Sequence, residues 1–223
     1  MKFGFMNYKP FSYKSDFQEY TGYSVDLFKK ICEQLKIEFE FIEYEDLKLG
    51  LNNLQNGIID VISSGFSEER KKLYNFSDIF INEEMRFIFH KNEKFIDNII
   101  KNNLKIGAVD NTLYHQELIK KYGGNLHIEL YKSYDTLHAA FLSQEIDLFL
   151  ETSAVIFDLK SSNSDIKSIK TTPLENNFFE LAFAFNQKID KELIEKFNQQ
   201  IKNLEANGFI KDLKEKYGFN YED

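Results

Sequence analysis

The sequence predicts an α/β protein made of two similar lobes, and three observations carry that expectation. Short apolar runs of strand character alternate with stretches of helical periodicity, the grammar of mostly parallel sheets covered on both faces. One pattern occurs twice: LQNGIIDVISSG (54–65) and LSQEIDLFLETS (142–153) each run from a helix end through Ile-Asp in a strand to small polar residues. The 223 residues, 43% of them hydrophobic, suit one large domain or two small lobes, and with two prolines no Pro/Gly/Ser linker divides them.

In order, KFGFM at the start reads as an apolar strand. SVDLFKKICEQL places Leu27, Phe28, Ile31 and Leu35 on one helical face, with Ser24 as the predicted N-cap. IEFEF alternates Ile37, Phe39 and Phe41 against Glu38 and Glu40, a half-buried strand. DLKLGLNNLQNG puts Leu47, Leu51 and Leu54 on a second helix stopped at Gly57, and IIDVI (58–62) reads as a buried strand. The grammar then repeats: strand LKIGAV (104–109), helix TLYHQELIKKYGG ending at Gly123 and Gly124, strand HIEL, helix SYDTLHAAFLSQ, and buried strand IDLFL (146–150). The tail gives an extended run ELAFAFN (180–186) and helices KELIEKFNQQIKNLEANG and FIKDLKEKYG. Ligands of such sheets bind just beyond the strand C-termini, so SSGFS and ETSA are the predicted pocket loops, facing each other across two lobes.

Composition removes several functions. The net charge is −8 from 36 acidic and 28 basic groups, with lysines scattered among acids, so no nucleic-acid face is expected. No apolar run approaches the roughly 20 residues of a membrane span. The single cysteine, Cys32, falls within a helix and reads as a half-buried structural thiol. Met1 leads straight into a strand with no signal-peptide pattern, which fits a cytoplasmic chain or an exported domain without its leader. The four histidines form no zinc-ligand pairing, and no dinucleotide, phosphate-loop or Gly-x-Ser-x-Gly motif occurs, so neither a metal nor a cofactor is expected. Ser63 and Ser64 lack a supporting His and acid, which points to a binding protein rather than an enzyme.

Taken together, YKPFSY, TGYSVDLFKKICEQL, LQNGIIDVISSGFSEERKKLYNFSD, KIGAVDNTLY and NGFIKDLKEKYG resemble, in order and spacing, the amino-acid-type solute-binding proteins of bacterial ABC transporters (family 3). The resemblance implies the type II periplasmic binding protein, or Venus flytrap, fold, with a central mixed sheet in each lobe. It implies a discontinuous first lobe, 1–88 with 186–223, a second lobe over 89–185, and MRFIFHK and ELAFAF as the two hinge strands. It also implies capture of a small carboxylated solute, an amino acid or close analogue, a permease partner, a monomer, and a periplasmic or cell-surface lipoprotein location with the leader absent. Two alternatives use the same fold: the sensor domain of a membrane receptor, and a dehydratase acting on a carboxylated ring with Glu151 as general acid.

The same resemblance implies the site. Arg70 grips the ligand α-carboxylate, which suits a planar fork of donors better than Lys71 or Lys72; the alternative is a surface arginine in a charged helix. Gly65 lets backbone approach closely, and Ser64 and Ser67 offer hydroxyls to the same carboxylate. Asn111 and Thr112 stand at a strand-to-helix turn suited to an anion, with Thr112 equally readable as the helix N-cap alone. Tyr8 falls where the family stacks a ring on the ligand, Phe11 reads as core, and the opposing family aromatic is Leu47 here. Thr152 stands where the family presents an Asp to the α-ammonium and Asn7 where it has an early Asp, so either Glu151 takes over or the ligand is no ordinary α-amino acid. The run FSEE between Gly65 and Arg70 is about two residues short of the family pattern, which is expected to shift Arg70 relative to the serine hydroxyls.

Overall fold

The computed structural model describes residues 1–90, 103–162 and 169–219. In chain order the elements are β1 (Lys2–Phe5), β2 (Tyr13–Lys14), β3 (Tyr20–Thr21), α1 (Tyr23–Leu35), β4 (Glu40–Glu43), α2 (Leu47–Asn56), β5 (Val61–Gly65), α3 (Glu68–Lys71), β6 (Asn75–Phe76) and β7 (Ile81–His90). There follow β8 (Lys105–Val109), α4 (Leu113–Tyr122), β9 (His127–Tyr131), α5 (Tyr134–Leu142), β10 (Leu148–Glu151), α6 (Ser153–Ser162), β11 (Ile169–Phe185), α7 (Lys191–Ala206) and α8 (Phe209–Lys216).

The main sheet runs β4-β1-β5-β11-β7-β10-β8-β9, with β6 paired to β11. At one end β4, β1 and β5 are parallel; at the other, β10, β8 and β9 are parallel. Between them β7 and the 17-residue β11 pair antiparallel, so the two predicted sheets are joined into one through the crossing strands. The crossing pair shifts register between Pro173 and Phe178. Beyond that break β11 pairs with β5, Leu181 with Gly65 through Phe185 with Val61. MRFIFH lies in β7 and ELAFAF in β11; Lys91, the last residue of the first predicted hinge segment, lies outside the described residues.

The phenylalanine content builds the cores. Phe28 packs on Phe3 at 4.4 Å and on Phe183 at 5.9 Å, and Phe183 lies 6.1 Å from Phe197, which locks α1 and α7 onto β1 and β11. In the second lobe Phe141 of α5 meets Phe149 of β10 at 4.9 Å, edge to face. Cys32 is fully buried rather than half-buried, and burial pushes its thiol up to about 12. Among the described residues, no helix is long and apolar enough to cross a membrane.

Several local expectations shift. Gly22, not Ser24, caps α1: at φ 117°, with the Phe11 carbonyl oxygen 2.5 Å from where a Cβ would stand, only glycine fits. Ser24 is buried one step into the helix, where its Oγ accepts from Ser63 Oγ at 2.9 Å. The strand predicted over 58–62 begins at Val61 and takes in Ser63, Ser64 and Gly65, because β11 pairs along those residues; Ile58 is exposed. The strand predicted over 37–41 occupies Glu40–Glu43, set by pairing with β1, though the alternation of Phe39 and Phe41 against Glu38 and Glu40 holds.

Candidate functional site

Four strands end at one cleft. The chain leaves β1 into the loop bearing Tyr8, β5 ends in Ser64 and Gly65, β8 leads to Asn111 and Thr112, and β10 ends in Glu151. Tyr8 is fixed by a tight turn in which its N–H donates to the Ser12 carbonyl (2.6 Å) and its own carbonyl accepts from Phe11 and Ser12 (2.9 and 2.8 Å). Phe11 is core as read, 2% exposed, and also backs the Tyr8 ring at 4.6 Å.

Arg70 is buried (6% exposed) on the short helix α3. Its Nη1 donates to Ser64 Oγ and to the Gly65 carbonyl, each at 3.0 Å, and its Nη2 donates to the Asn111 carbonyl at 2.7 Å. All three acceptors are neutral, and among the described residues Arg70 makes no ion pair. A surface role is thereby excluded. With the short FSEE run, Arg70 reaches Ser64 directly. Ser67 has a different job: its hydroxyl caps α3 by accepting the Arg70 N–H at 3.2 Å, and it does not line the cavity. A Cβ on Gly65 would stand 2.5 Å from Leu113 Cδ1, so a side chain there would displace the tip of Leu113. Asn111 takes a left-handed conformation (φ 62°), which aims its carbonyl at Arg70. Thr112 caps α4, accepting from the His115 N–H at 3.3 Å, and also lines the cavity.

A second buried charge-bearing group stands behind the Tyr8 hydroxyl, off the cavity lining itself. Glu151 is fully buried; its Oε2 accepts from the Tyr8 hydroxyl at 2.7 Å and from the Thr152 N–H at 3.4 Å, while Oε1 has no partner. The Tyr114 hydroxyl stands 3.3 Å from that of Tyr8. Arg86, paired with Glu151 across β7 and β10, turns instead to Thr171 Oγ1 (3.1 Å) and Glu84 (3.4 Å). Desolvation therefore dominates and raises the Glu151 carboxyl to about 8, with the hydroxyls of Tyr8 and Tyr114 opposing it. Burial, followed by the Glu151 charge, holds the phenols of Tyr8, Tyr114 and Tyr134 well above their usual range. Thr152 is equally buried and its Oγ1 is unpartnered.

The sequence reading missed Tyr114 and Tyr134. Tyr134, at the start of α5, stacks on Tyr8 with centroids 3.6 Å apart and planes 12° apart. Nothing local marks it beyond its place after the N-cap Ser133; only the packing of α5 on β8 and β9 brings it to the cleft. The cavity between Arg70, Tyr8, Thr112, Tyr114 and Tyr134 measures about 40 Å³, room for water alone. A wider cavity of about 610 Å³ adjoins it, sharing Met6 and Tyr44 and lined by Glu45, Asp135 and the Lys14–Glu43 ion pair (2.7 Å). Asn7 belongs to this outer cavity, donating from Nδ2 to Asp135 Oδ2 at 2.7 Å.

Comparison with known proteins bears on the family and the fold. The profile of bacterial extracellular solute-binding proteins, family 3, matches residues 1–220. A "Probable histidine-binding protein" of Campylobacter jejuni is 28% identical over 95% of this chain and 81% of its own length. The arginine-binding extracellular protein ArtP of Bacillus subtilis is 27% identical over 95% and 82%. Among solved structures, the ancestral amino acid-binding protein AncCDT-1, a precursor of cyclohexadienyl dehydratase, superposes with a TM-score of 0.82 over 97% of this chain and 93% of its own, at 23% identity, a likeness of fold.

Proposed function

Because the chain belongs to the bacterial extracellular solute-binding proteins of family 3, we propose that it captures an α-amino acid with a cationic side chain between its lobes and hands it to an ABC-transporter permease. The lobes are taken as 1–88 with 186–223 and as 89–185, the crossing strands β7 and β11 being shared by both. The protein is read as an extracytoplasmic monomer that does no chemistry on its ligand.

One observation carries this reading: Arg70, a buried guanidinium with only neutral partners, lines the cavity, and Glu151, a buried carboxyl without a cation, stands behind the Tyr8 hydroxyl that lines the same cavity. An isolated buried charge is costly, and a zwitterion supplies both missing counter-charges at once. The ligand carboxylate takes the Arg70 fork in place of the Gly65 and Asn111 carbonyls, with Ser64 and the α4 N-terminus as further donors. The ammonium takes Glu151, so the carboxylate moves one residue from the family position at Thr152. The cationic side chain is supported by the acids of the outer cavity, Glu45 and Asp135, and by relatives named for histidine and arginine.

The test is a thermal-shift series with arginine, histidine, lysine, glutamine and simple carboxylates. A ligand at 100 times its dissociation constant stabilises by about 2.7 kcal/mol. Arg70→Ala abolishes the shift, and a full shift retained in that variant removes Arg70 from the site. A second reading is favoured by the neutral Glu151 carboxyl, which suits a general acid as in a dehydratase. Absence of phenylpyruvate or phenylalanine formation from prephenate or arogenate disposes of it.

A further inference from the structure

The stacked pair Tyr8–Tyr134 joins one ring from each lobe and stands where the inner cavity meets the outer one. Tyr134 lines the inner cavity with Arg70, while its neighbours Ser133 and Asp135 line the outer one with Glu43 and Glu45. With 40 Å³ inside, no amino acid enters unless these rings part. Their arrangement makes parting cheap. Aromatic pairs favour offset or edge-to-face contacts at roughly 4.5–7 Å, because two negative π-faces repel one another. Here the centroids are 3.6 Å apart and the planes nearly parallel, a face-to-face sandwich. A flat cation slid between the rings turns that repulsion into attraction from both faces. At about twice the present spacing it lies within the roughly 6 Å reach of a cation–π contact to each. Phe11 behind Tyr8 keeps that ring in place, so the movement belongs to Tyr134 and its lobe.

We propose that Tyr134 determines specificity: with Tyr8 it forms a pair of parallel plates, one per lobe, that takes the planar cationic side chain of the ligand between its faces. This rests on the reading that the cleft holds an amino acid by Arg70 and Glu151. Leu47, in the position of the family's opposing aromatic, leaves the first lobe with one plate, and the second comes from the other lobe, so stacking and lobe closure become one event. A guanidinium or imidazolium fits such a slot; the tetrahedral ammonium of lysine cannot stack.

The experiment measures dissociation constants of L-arginine, L-histidine and L-lysine by calorimetry for the unaltered chain, Tyr134→Phe and Tyr134→Leu, with melting temperatures recorded for each. The unaltered chain prefers arginine or histidine to lysine by on the order of tenfold, and Tyr134→Phe keeps that preference. Tyr134→Leu, which retains apolar volume but no plane, weakens the planar ligands by on the order of tenfold and lysine by less than about threefold. An unchanged arginine-to-lysine ratio in Tyr134→Leu overturns the proposal, as does a native preference for lysine. Loss of the preference in Tyr134→Phe also overturns it, by moving the effect to the hydroxyl. No binding of any amino acid to the unaltered chain instead overturns the reading beneath it.

Discussion

Replacing Glu151 with glutamine tests the electrostatics of the cleft without any ligand. Burial raises the carboxyl from about 4.5 to about 8 in the folded chain, so between those values the folded state holds a proton that the unfolded state has released. Stability then falls as pH rises. The contribution of the neutral carboxyl is fully present below about pH 4.5 and is gone above about pH 8. A separation of about 3.5 in pKa, at roughly 1.4 kcal/mol each, sets a ceiling of about 5 kcal/mol on the loss. Glutamine has the same shape, offers an oxygen to the Tyr8 hydroxyl, and does not titrate. Glu83, raised to about 7 chiefly by burial, titrates in both proteins and cancels in the comparison. Urea unfolding of the two proteins at pH 5.5, 7 and 9 is the assay. The advantage of Glu151→Gln over the unaltered protein is expected to grow by at least about 2 kcal/mol between pH 5.5 and pH 9. A difference that stays constant from pH 5.5 to 9 would refute the reasoning, because Glu151 would then hold one charge state throughout.

Two further outcomes follow from the same geometry. Binding of an amino acid at pH 6.5 ionises Glu151 and releases close to one proton, read from calorimetric heats in buffers of different ionisation enthalpy; binding with no proton release would take the ammonium away from Glu151. Gly22→Ala forces a side chain against the Phe11 backbone at a positive φ and is expected to cost roughly 1–3 kcal/mol, seen as a lower urea midpoint with an unchanged slope; an unchanged midpoint would show that the α1 entry relaxes freely.

What the sequence made legible was local. Gly57 closes α2, and Thr112 and Gly123 bound α4, because a cap needs only its own turn. Apart from the cap of α1, which is Gly22 and not Ser24, the errors came where distant strands decide. Ser63 and Ser64 read as a loop because the pairing partner that draws them into β5 lies some 120 residues away in β11. Arg70 was marked by the motif around it, and its burial follows from α3 folding under the cleft. Tyr134 carried no mark, since its role depends on two lobes meeting. Glu151 and Thr152 were ambiguous for a physical reason: both are fully buried at a strand end, and only the bond from Tyr8 shows which of them faces the first lobe.

Cys32 gives this protein a built-in clock. It is the single thiol of the chain, buried on the inner face of α1, and its raised pKa keeps it in the unreactive form. A thiol reagent therefore labels it only during excursions that lift α1 from the sheet. The labelling rate, measured with and without a candidate solute, reports how tightly occupancy of the cleft is felt by the interior of the lobe, with no probe engineered into the molecule.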